Sequence, residues 1–226
     1  MKSITHRYRE NLKLVIFDLP AVIDYTQEDL RPLLSEAIRE TIGRPVTMDR
    51  ISWEENCSGV LLDVYKRELD RFPSTEEFQA IKDNFNNRLR LHFMTRDNLY
   101  DVQHGVQNIL MQLQASPEWH FCVVSDYWAE ATNFMLDSCG IYRKNIELYS
   151  ADDGLSSQDI INKITARRYL SKSAKEVYLI SRQSHLSIQL KNPVHFISLK
   201  SLRRSTLNYF SYPKFADIFR QPVKAG

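Results

Sequence analysis

The sequence contains little glycine and no long hydrophobic run. Only six of its 226 residues are glycine, and none of them forms a glycine-rich loop that cradles phosphate. Because no stretch of about 18 apolar residues occurs, we expect no membrane insertion. The opening stretch MKSITHRYREN is basic but has no apolar core after its charges, so we expect no secretory signal.

Cysteine is also scarce, and its spacing excludes two kinds of site. The three cysteines are Cys57, Cys122 and Cys139, which form neither a metal-binding pattern nor a disulfide framework. We interpret them as buried free thiols in a reducing compartment, which predicts a cytoplasmic protein. The six histidines are scattered as well, without a His-Glu-x-x-His motif or a cysteine partner, so we expect no metal site of that kind.

The net charge of +2 hides a strong separation of charge along the chain. Residues 1–160 contain 17 Lys and Arg against 26 Asp and Glu, whereas residues 161–226 contain 13 against 2. Such a separation bears on the partners of a protein rather than on its fold. Either the two parts neutralise each other in space, or the basic part is available to a partner.

The most regular feature is the stretch 13–23, which reads KLVIFDLPAVI. Its apolar, β-branched run at 14–17 ends at Asp18 and predicts a strand buried on both faces in a parallel sheet. A carboxylate at the carboxyl end of such a strand lies where open α/β sheets place their functional groups. Asp18 is therefore the first candidate site residue.

Strands and helices alternate along most of the chain, which favours an α/β fold with a parallel sheet. Residues 24–96 instead show helical periodicity, with apolar residues three and four positions apart, and we expect no strand of the main sheet there. Strand patterns occur near residues 13–18, 120–125, 146–150, 177–181 and 195–199.

Two of these strands lead into residues that resemble motifs of the haloacid dehalogenase superfamily. The stretch from Asp18 to Val22 resembles the first motif, Asp-x-Asp-Gly-Thr or -Val, with Pro20 and Ala21 in place of the second Asp and the Gly. The strand that leads to Ser125 resembles the second motif, an apolar strand that ends in Ser or Thr. The order of elements over residues 12–200 is similar to the β-phosphoglucomutase-like branch, in which a helical cap follows the first strand.

The resemblance implies a fold class and a division of the chain. The expected fold is α/β, with a Rossmann-like parallel sheet and an inserted all-helical cap. Residues 1–23 and 97–200 would form the core, and residues 24–96 the cap. Residues 201–226 lie beyond the resemblance and form a basic-aromatic C-terminal extension.

The resemblance also assigns roles to residues, and several assigned positions lack the required chemistry. Asp18 occupies the position of the nucleophile, and Ser125 that of the phosphate-binding hydroxyl. Pro20 stands where the family has its acid/base, Leu155 where it has a charge-neutralising Lys, and Arg182 at a Mg²⁺ ligand position. A magnesium site needs hard oxygen ligands, which these side chains do not supply. The resemblance therefore implies a pseudoenzyme with no catalytic residue, no cofactor and no Mg²⁺.

Asp18 and Arg182 lead to a more specific prediction. In the family's sheet, the strand that ends near residue 181 neighbours the first strand. An unpaired carboxylate at the end of a buried strand is costly. We therefore expect Arg182 to take the place of the metal and to pair with Asp18.

The C-terminal extension combines basic and aromatic side chains. The candidates for partner binding are Arg203, Arg204, Tyr209, Phe210, Phe215 and Phe219. Aromatic side chains of this kind anchor protein interfaces, bind single-stranded nucleic acid or pack on their own domain. Nucleic-acid binding is the least favoured of the three, and the sequence leaves all of them open.

The sequence is compatible with two functions. We favour a non-catalytic protein that acts through protein–protein interaction, as an adaptor or structural subunit of a larger assembly. An accessory subunit of a bacterial secretion complex would be one example. The alternative is a divergent hydrolase, a phosphatase or dehalogenase, that acts on a small substrate.

Overall fold

The computed structural model describes eight segments of the chain. They are residues 13–24, 27–46, 56–95, 101–102, 106–141, 146–170, 176–181 and 194–198. Among them, no helix is both long enough and apolar enough to cross a membrane. The C-terminal extension lies outside the described residues, so its role stays a prediction.

The helices and strands follow one another in the alternating order that the sequence predicts. The strands are β1 (Lys13–Asp18), β2 (Ile23–Asp24), β3 (Asp101–Val102), β4 (Trp119–Val124), β5 (Glu147–Tyr149), β6 (Glu176–Ser181) and β7 (His195–Ser198). The helices are α1 (Leu19–Val22), α2 (Gln27–Ile42), α3 (Cys57–Leu69), α4 (Thr75–Thr95), α5 (Val106–Ala115), α6 (Ala129–Ser138) and α7 (Ser157–Leu170), with a 3-10 turn at Ala151–Asp153.

Within the described segments, five parallel strands form the main sheet, in the order β5-β4-β1-β6-β7. β1 is the central strand and pairs with β4 on one side and with β6 on the other. Its apolar run at 14–17 is buried, as expected for a strand that is covered by helices on both faces. The predicted α/β fold, a parallel sheet with inserted helices, is confirmed.

Alternate residues of β1 face two hydrophobic clusters on opposite sides of the sheet. Leu14 and Ile16 belong to a cluster that includes Ile161 of α7. Val15 and Phe17 belong to a larger cluster that also contains buried residues of α2, α3 and α4. The helices that follow β2 therefore share one continuous core with the sheet.

The three helices α2, α3 and α4 lie between the short strands β2 and β3, which pair antiparallel to each other. Asp24 is part of β2, so the predicted helical segment 24–96 begins in a strand, one too short to give a periodic pattern. The two-stranded sheet is separate from the main sheet, which receives no strand from the described residues of this segment. The limits assigned to core, cap and extension stay a prediction.

The cysteines are free thiols, as the sequence predicts. Cys57 and Cys122 are buried, and Cys139 is partly buried. Burial, together with the nearby Asp126 carboxylate, raises the pKa of the Cys57 thiol. Since the thiolate is the reactive form, a structural role fits Cys57 better than a chemical one.

Candidate functional site

Asp18 lies at the carboxyl end of the central strand, and its side chain begins the next helix. It is the N-cap of α1, where its Oδ1 accepts a 2.8 Å hydrogen bond from the Ala21 N–H. The Ser181 hydroxyl, at the end of β6, donates to its Oδ2. Only 2% of Asp18 is exposed. The carboxylate is thus a buried hydrogen-bond acceptor between two neighbouring strand ends.

Pro20 fits this local structure for a physical reason. It lies in the first turn of α1, where the ring is tolerated because the helix needs no N–H donor there. Its side chain has no proton to give or take, so it cannot act as an acid or base. An Asp followed two residues later by Pro is a helix-start signal, and the sequence analysis interpreted this stretch only as an altered motif.

Ser125 is the first residue after β4, which ends at Val124 and not at Ser125 as predicted. Its Oγ accepts from the Tyr127 N–H at 3.0 Å and lies 2.7 Å from the Thr132 Oγ. Because the Thr132 hydroxyl donates to the Trp128 carbonyl, the Ser125 hydroxyl is the donor to Thr132. Only 1% of Ser125 is exposed. The hydrogen bonds of this hydroxyl therefore stabilise the loop after β4 and the start of α6.

Ser181 is a site residue that the sequence analysis missed. It is fully buried, and β6 lies directly beside β1, so its hydroxyl reaches Asp18. A polar residue at the end of an otherwise apolar buried strand was the available signal. Arg182 follows it but lies outside the described residues, so the pairing of Asp18 with Arg182 stays a prediction.

The loop after β4 contributes two large aromatic residues that the sequence analysis also missed. The Tyr127 ring stacks on Phe85 of α4, with 6.1 Å between the ring centroids. The Trp128 ring meets Phe85 edge to face at 5.6 Å and Phe78 at 6.0 Å. Two bulky aromatics directly after a strand are a signal of close packing. Helix α4 therefore packs on the loop that contains Ser125.

Asp152, in the 3-10 turn after β5, connects α4 to the same edge of the sheet. Its carboxylate pairs with Lys82 of α4 and accepts a 2.6 Å hydrogen bond from the Ala129 N–H and another from Ser150. By itself, the burial of Asp152 would raise the pKa of its carboxyl group. The hydrogen bonds outweigh burial, so the pKa lies below its ordinary value.

Among the described residues, no group of side chains forms a ready magnesium site, and the absence of Mg²⁺ stays a prediction. Mg²⁺ binds through carboxylate and other hard oxygen ligands in a near-octahedral arrangement. In the part of the chain that the structure describes, no three Asp, Glu, His or Cys side chains lie close enough together to hold a metal. At Asp18, both carboxylate oxygens already accept hydrogen bonds from protein groups.

The arrangement of strands and helices is similar to that of solved structures. The haloacid dehalogenase (HAD) domain of the effector protein Lem4 from Legionella pneumophila matches with a TM-score of 0.50 at 13% identity, covering 93% of each chain. CbbY from Rhodobacter sphaeroides, solved in complex with phosphate, matches with a TM-score of 0.51 at 11% identity, covering 75% of this chain and 85% of CbbY. This chain has the haloacid dehalogenase-like fold.

The fold that the sequence resemblance implied is thereby confirmed, and the likeness extends to the fold alone. Identities this low give no information on substrate or activity, because one fold supports many functions. No protein-family model and no curated protein sequence matches the chain. In this haloacid dehalogenase-like fold, the roles of Asp18 and Ser125 therefore depend on the contacts that these two residues make.

Replacing Asp18 should destabilise the protein. Asp18→Ala leaves the Ala21 N–H uncapped and the buried Ser181 hydroxyl without its acceptor. We expect a loss of about 1–3 kcal/mol in the free energy of unfolding, measured by urea denaturation. Asp18→Asn keeps one acceptor oxygen and should lose less.

Asp83→Ala, which removes an exposed carboxylate from α4, is the control and should change stability little. If Asp18→Ala is as stable as the wild type, the cost of burying the carboxylate equals what its hydrogen bonds contribute.

The Lys82–Asp152 contact should make stability depend on pH. Because folding lowers the pKa of Asp152, its contribution is present above about pH 4 and is lost as the pH falls through the lowered value. We expect Asp152→Asn to be less stable than the wild type at about pH 7, with a difference that shrinks towards about pH 3. Urea unfolding at both pH values measures this difference. With Asp83→Asn as the charge-matched control, a difference independent of pH would contradict the assignment.

Proposed function

We propose that this protein is a non-catalytic haloacid dehalogenase-like protein that acts through protein–protein interaction, as an adaptor or structural subunit of a larger assembly. The observation that carries the proposal is the state of Asp18. The side chain at the position of the nucleophile is buried and serves as a helix cap and as the acceptor for Ser181.

The chemistry around Asp18 supports the same conclusion. A nucleophilic carboxylate needs an open path to the substrate and a second group that transfers a proton. Pro20 supplies no proton at the acid/base position. The Ser125 hydroxyl, at the position that would bind phosphate, both donates and accepts inside its own loop. A substrate would have to break these buried hydrogen bonds before any reaction.

The composition of the chain supports a protein partner. The basic-aromatic C-terminal extension carries side chains that anchor interfaces, among them Tyr209, Phe210, Phe215 and Phe219. Arg203 and Arg204 add positive charge beside them. We propose that this extension binds an acidic surface of a protein partner in the cytoplasm, where free thiols persist.

The alternative function, a divergent hydrolase, rests on one observation. Asp18 is still present at the carboxyl end of the central strand. In the two neighbouring strands, Ser181 is the last residue of β6 and Ser125 directly follows β4. In α/β proteins, ligands usually bind at this edge of the sheet, at the carboxyl ends of the strands. The two functions make opposite predictions for phosphate-ester hydrolysis.

We expect no hydrolysis of p-nitrophenyl phosphate that depends on both Mg²⁺ and Asp18. The assay compares the wild type with Asp18→Asn, with and without Mg²⁺, after circular dichroism has shown that both are folded. Equal background rates support the non-catalytic function. A wild-type rate that requires Mg²⁺ and disappears in Asp18→Asn would establish the hydrolase instead.

Deletion of residues 205–226 tests the interaction itself. If the extension binds a partner, the truncated protein should keep its melting temperature and lose a protein that the tagged full-length chain retains from its native cell. Arg203→Ala/Arg204→Ala in the full-length chain is the milder variant and should weaken retention at low salt. The difference from the wild type should shrink at high salt, where the attraction of the two arginines is screened in any case. A lower melting temperature after truncation would show instead that the extension packs on its own domain, and retention that nuclease treatment abolishes would indicate nucleic acid.

A further inference from the structure

The helices α2 to α4 are joined to the sheet through the paired strands β2 and β3. Two adjacent chain crossings are a common form of hinge, about which a helical segment can rotate as a lid. A second connection, far along the chain from this hinge, would prevent the rotation. Such a connection exists at the amino end of α3.

The first turn of α3 is hydrogen-bonded to two loops at the carboxyl edge of the sheet. The Cys57 N–H donates to the Asp126 carbonyl at 2.8 Å. Asn56 caps α3 by accepting from the Gly59 N–H at 2.8 Å, and its amide nitrogen donates to the Leu155 carbonyl. The N-cap of α3 is thus held by the loop that precedes α7, while the next residue is held by the loop that follows β4.

Ser58 completes this connection with a chain of buried hydrogen bonds. The Trp128 indole N–H donates to the Ser58 Oγ at 2.9 Å, and the Ser58 hydroxyl donates to the Ala151 carbonyl at 2.7 Å. All three residues are buried, Trp128 completely. Separating them without water would leave a donor and an acceptor unpaired in an apolar environment, which is unfavourable. We name the contacts of residues 56–58 with these two loops and Ala151 the α3–core contact.

Helix α4 adds contacts at other points of the same interface. Phe85 packs on the loop after β4, and eight residues further on Phe93 meets Phe134 of α6 edge to face at 5.5 Å. Arg90 pairs with Glu130 at the start of α6, at 2.7 Å. Eight residues of α-helix span about 12 Å. The contacts at the amino end of α3 and along this length of α4 together oppose a rotation of the inserted helices about a single axis.

We propose that the α3–core contact fixes the inserted helices to the sheet, so that the two parts form one rigid unit and do not open as a lid. The proposal stands apart from the proposed function, because rigidity is measured without any substrate, whatever the outcome of the hydrolysis assay.

Native-state hydrogen exchange in increasing urea, read by mass spectrometry of peptides, tests this proposal on the full chain. In the wild type, we expect amides of α3, α4 and β4 to become exchangeable together, with the same dependence on urea. The Cys57 amide, whose hydrogen bond to the Asp126 carbonyl crosses the interface, should be protected to the same degree, because it would report an opening that leaves the helices intact. Ser58→Ala removes the bridging hydroxyl, and Trp128→Phe removes the indole N–H while keeping an aromatic ring. In both variants, exchange in α3 should become faster by about tenfold or more, while β4 changes less.

Two control variants leave the α3–core contact intact. Lys66→Ala removes an exposed side chain from α3, and Trp119→Phe changes a partly exposed tryptophan at the other end of β4. Neither should make α3 exchange separately from the sheet. The wild-type measurement decides the question even if Trp128→Phe does not fold.

A wild-type protein in which α3 and α4, or the Cys57 amide alone, exchange in an earlier step than β4 would overturn the proposal, because the inserted helices would then open on their own. If Ser58→Ala and Trp128→Phe speed exchange equally in all elements, the assignment of rigidity to the α3–core contact is wrong. A separate early opening of α3 that occurs only in these two variants is the result that supports it.

Discussion

The burial of β1 on both faces is the constraint from which the rest of the arrangement follows. Its apolar side chains can leave water on both sides only if the strand is central and helices cover each face. The carboxyl end of the strand then lies in the middle of the sheet edge. Asp18 is brought there with it, into surroundings where a carboxylate must find partners within the protein. It finds them in the first turn of α1 and in Ser181 of the neighbouring strand.

The polar groups along this edge of the sheet form hydrogen bonds and ion pairs with other groups of the protein. Ser125 is bonded to Thr132, Asp126 accepts from Ser157, and Asp152 joins α4 to the start of α6. A buried polar group without a hydrogen-bond partner destabilises the fold. The polar groups at such an edge therefore need partners, which are supplied either by a bound ligand or by other groups of the protein. The described residues provide internal hydrogen bonds. The fold on which many hydrolases are built is here compatible with a purely structural use of the same positions.

Local sequence patterns predicted much of the fold and only part of the site. The apolar run before Asp18 identified the central strand, and the spacing of apolar residues identified the inserted helices. The helix-start signal at Asp18 and Pro20 was present in the sequence but was interpreted as an altered motif. The bond between Ser58 and Trp128 had no such signal, because these residues stand 70 positions apart. Ser181 is 163 positions from Asp18, and their contact depends on the order of strands in the sheet.

The sequence by itself determined the elements and the fold class, since periodicity and burial are properties of short segments. It also determined which chemical groups stand at each position, and therefore that Pro20 transfers no proton. The tertiary structure alone decided what the polar side chains do. Hydrogen-bond partners are chosen by proximity in space, and only the packed strands and helices bring Asp18 to Ser181 and Ser58 to Trp128. The same carboxylate at the end of a strand can belong to an open site or to a buried helix cap. Its role depends on the neighbouring groups that the fold places around it.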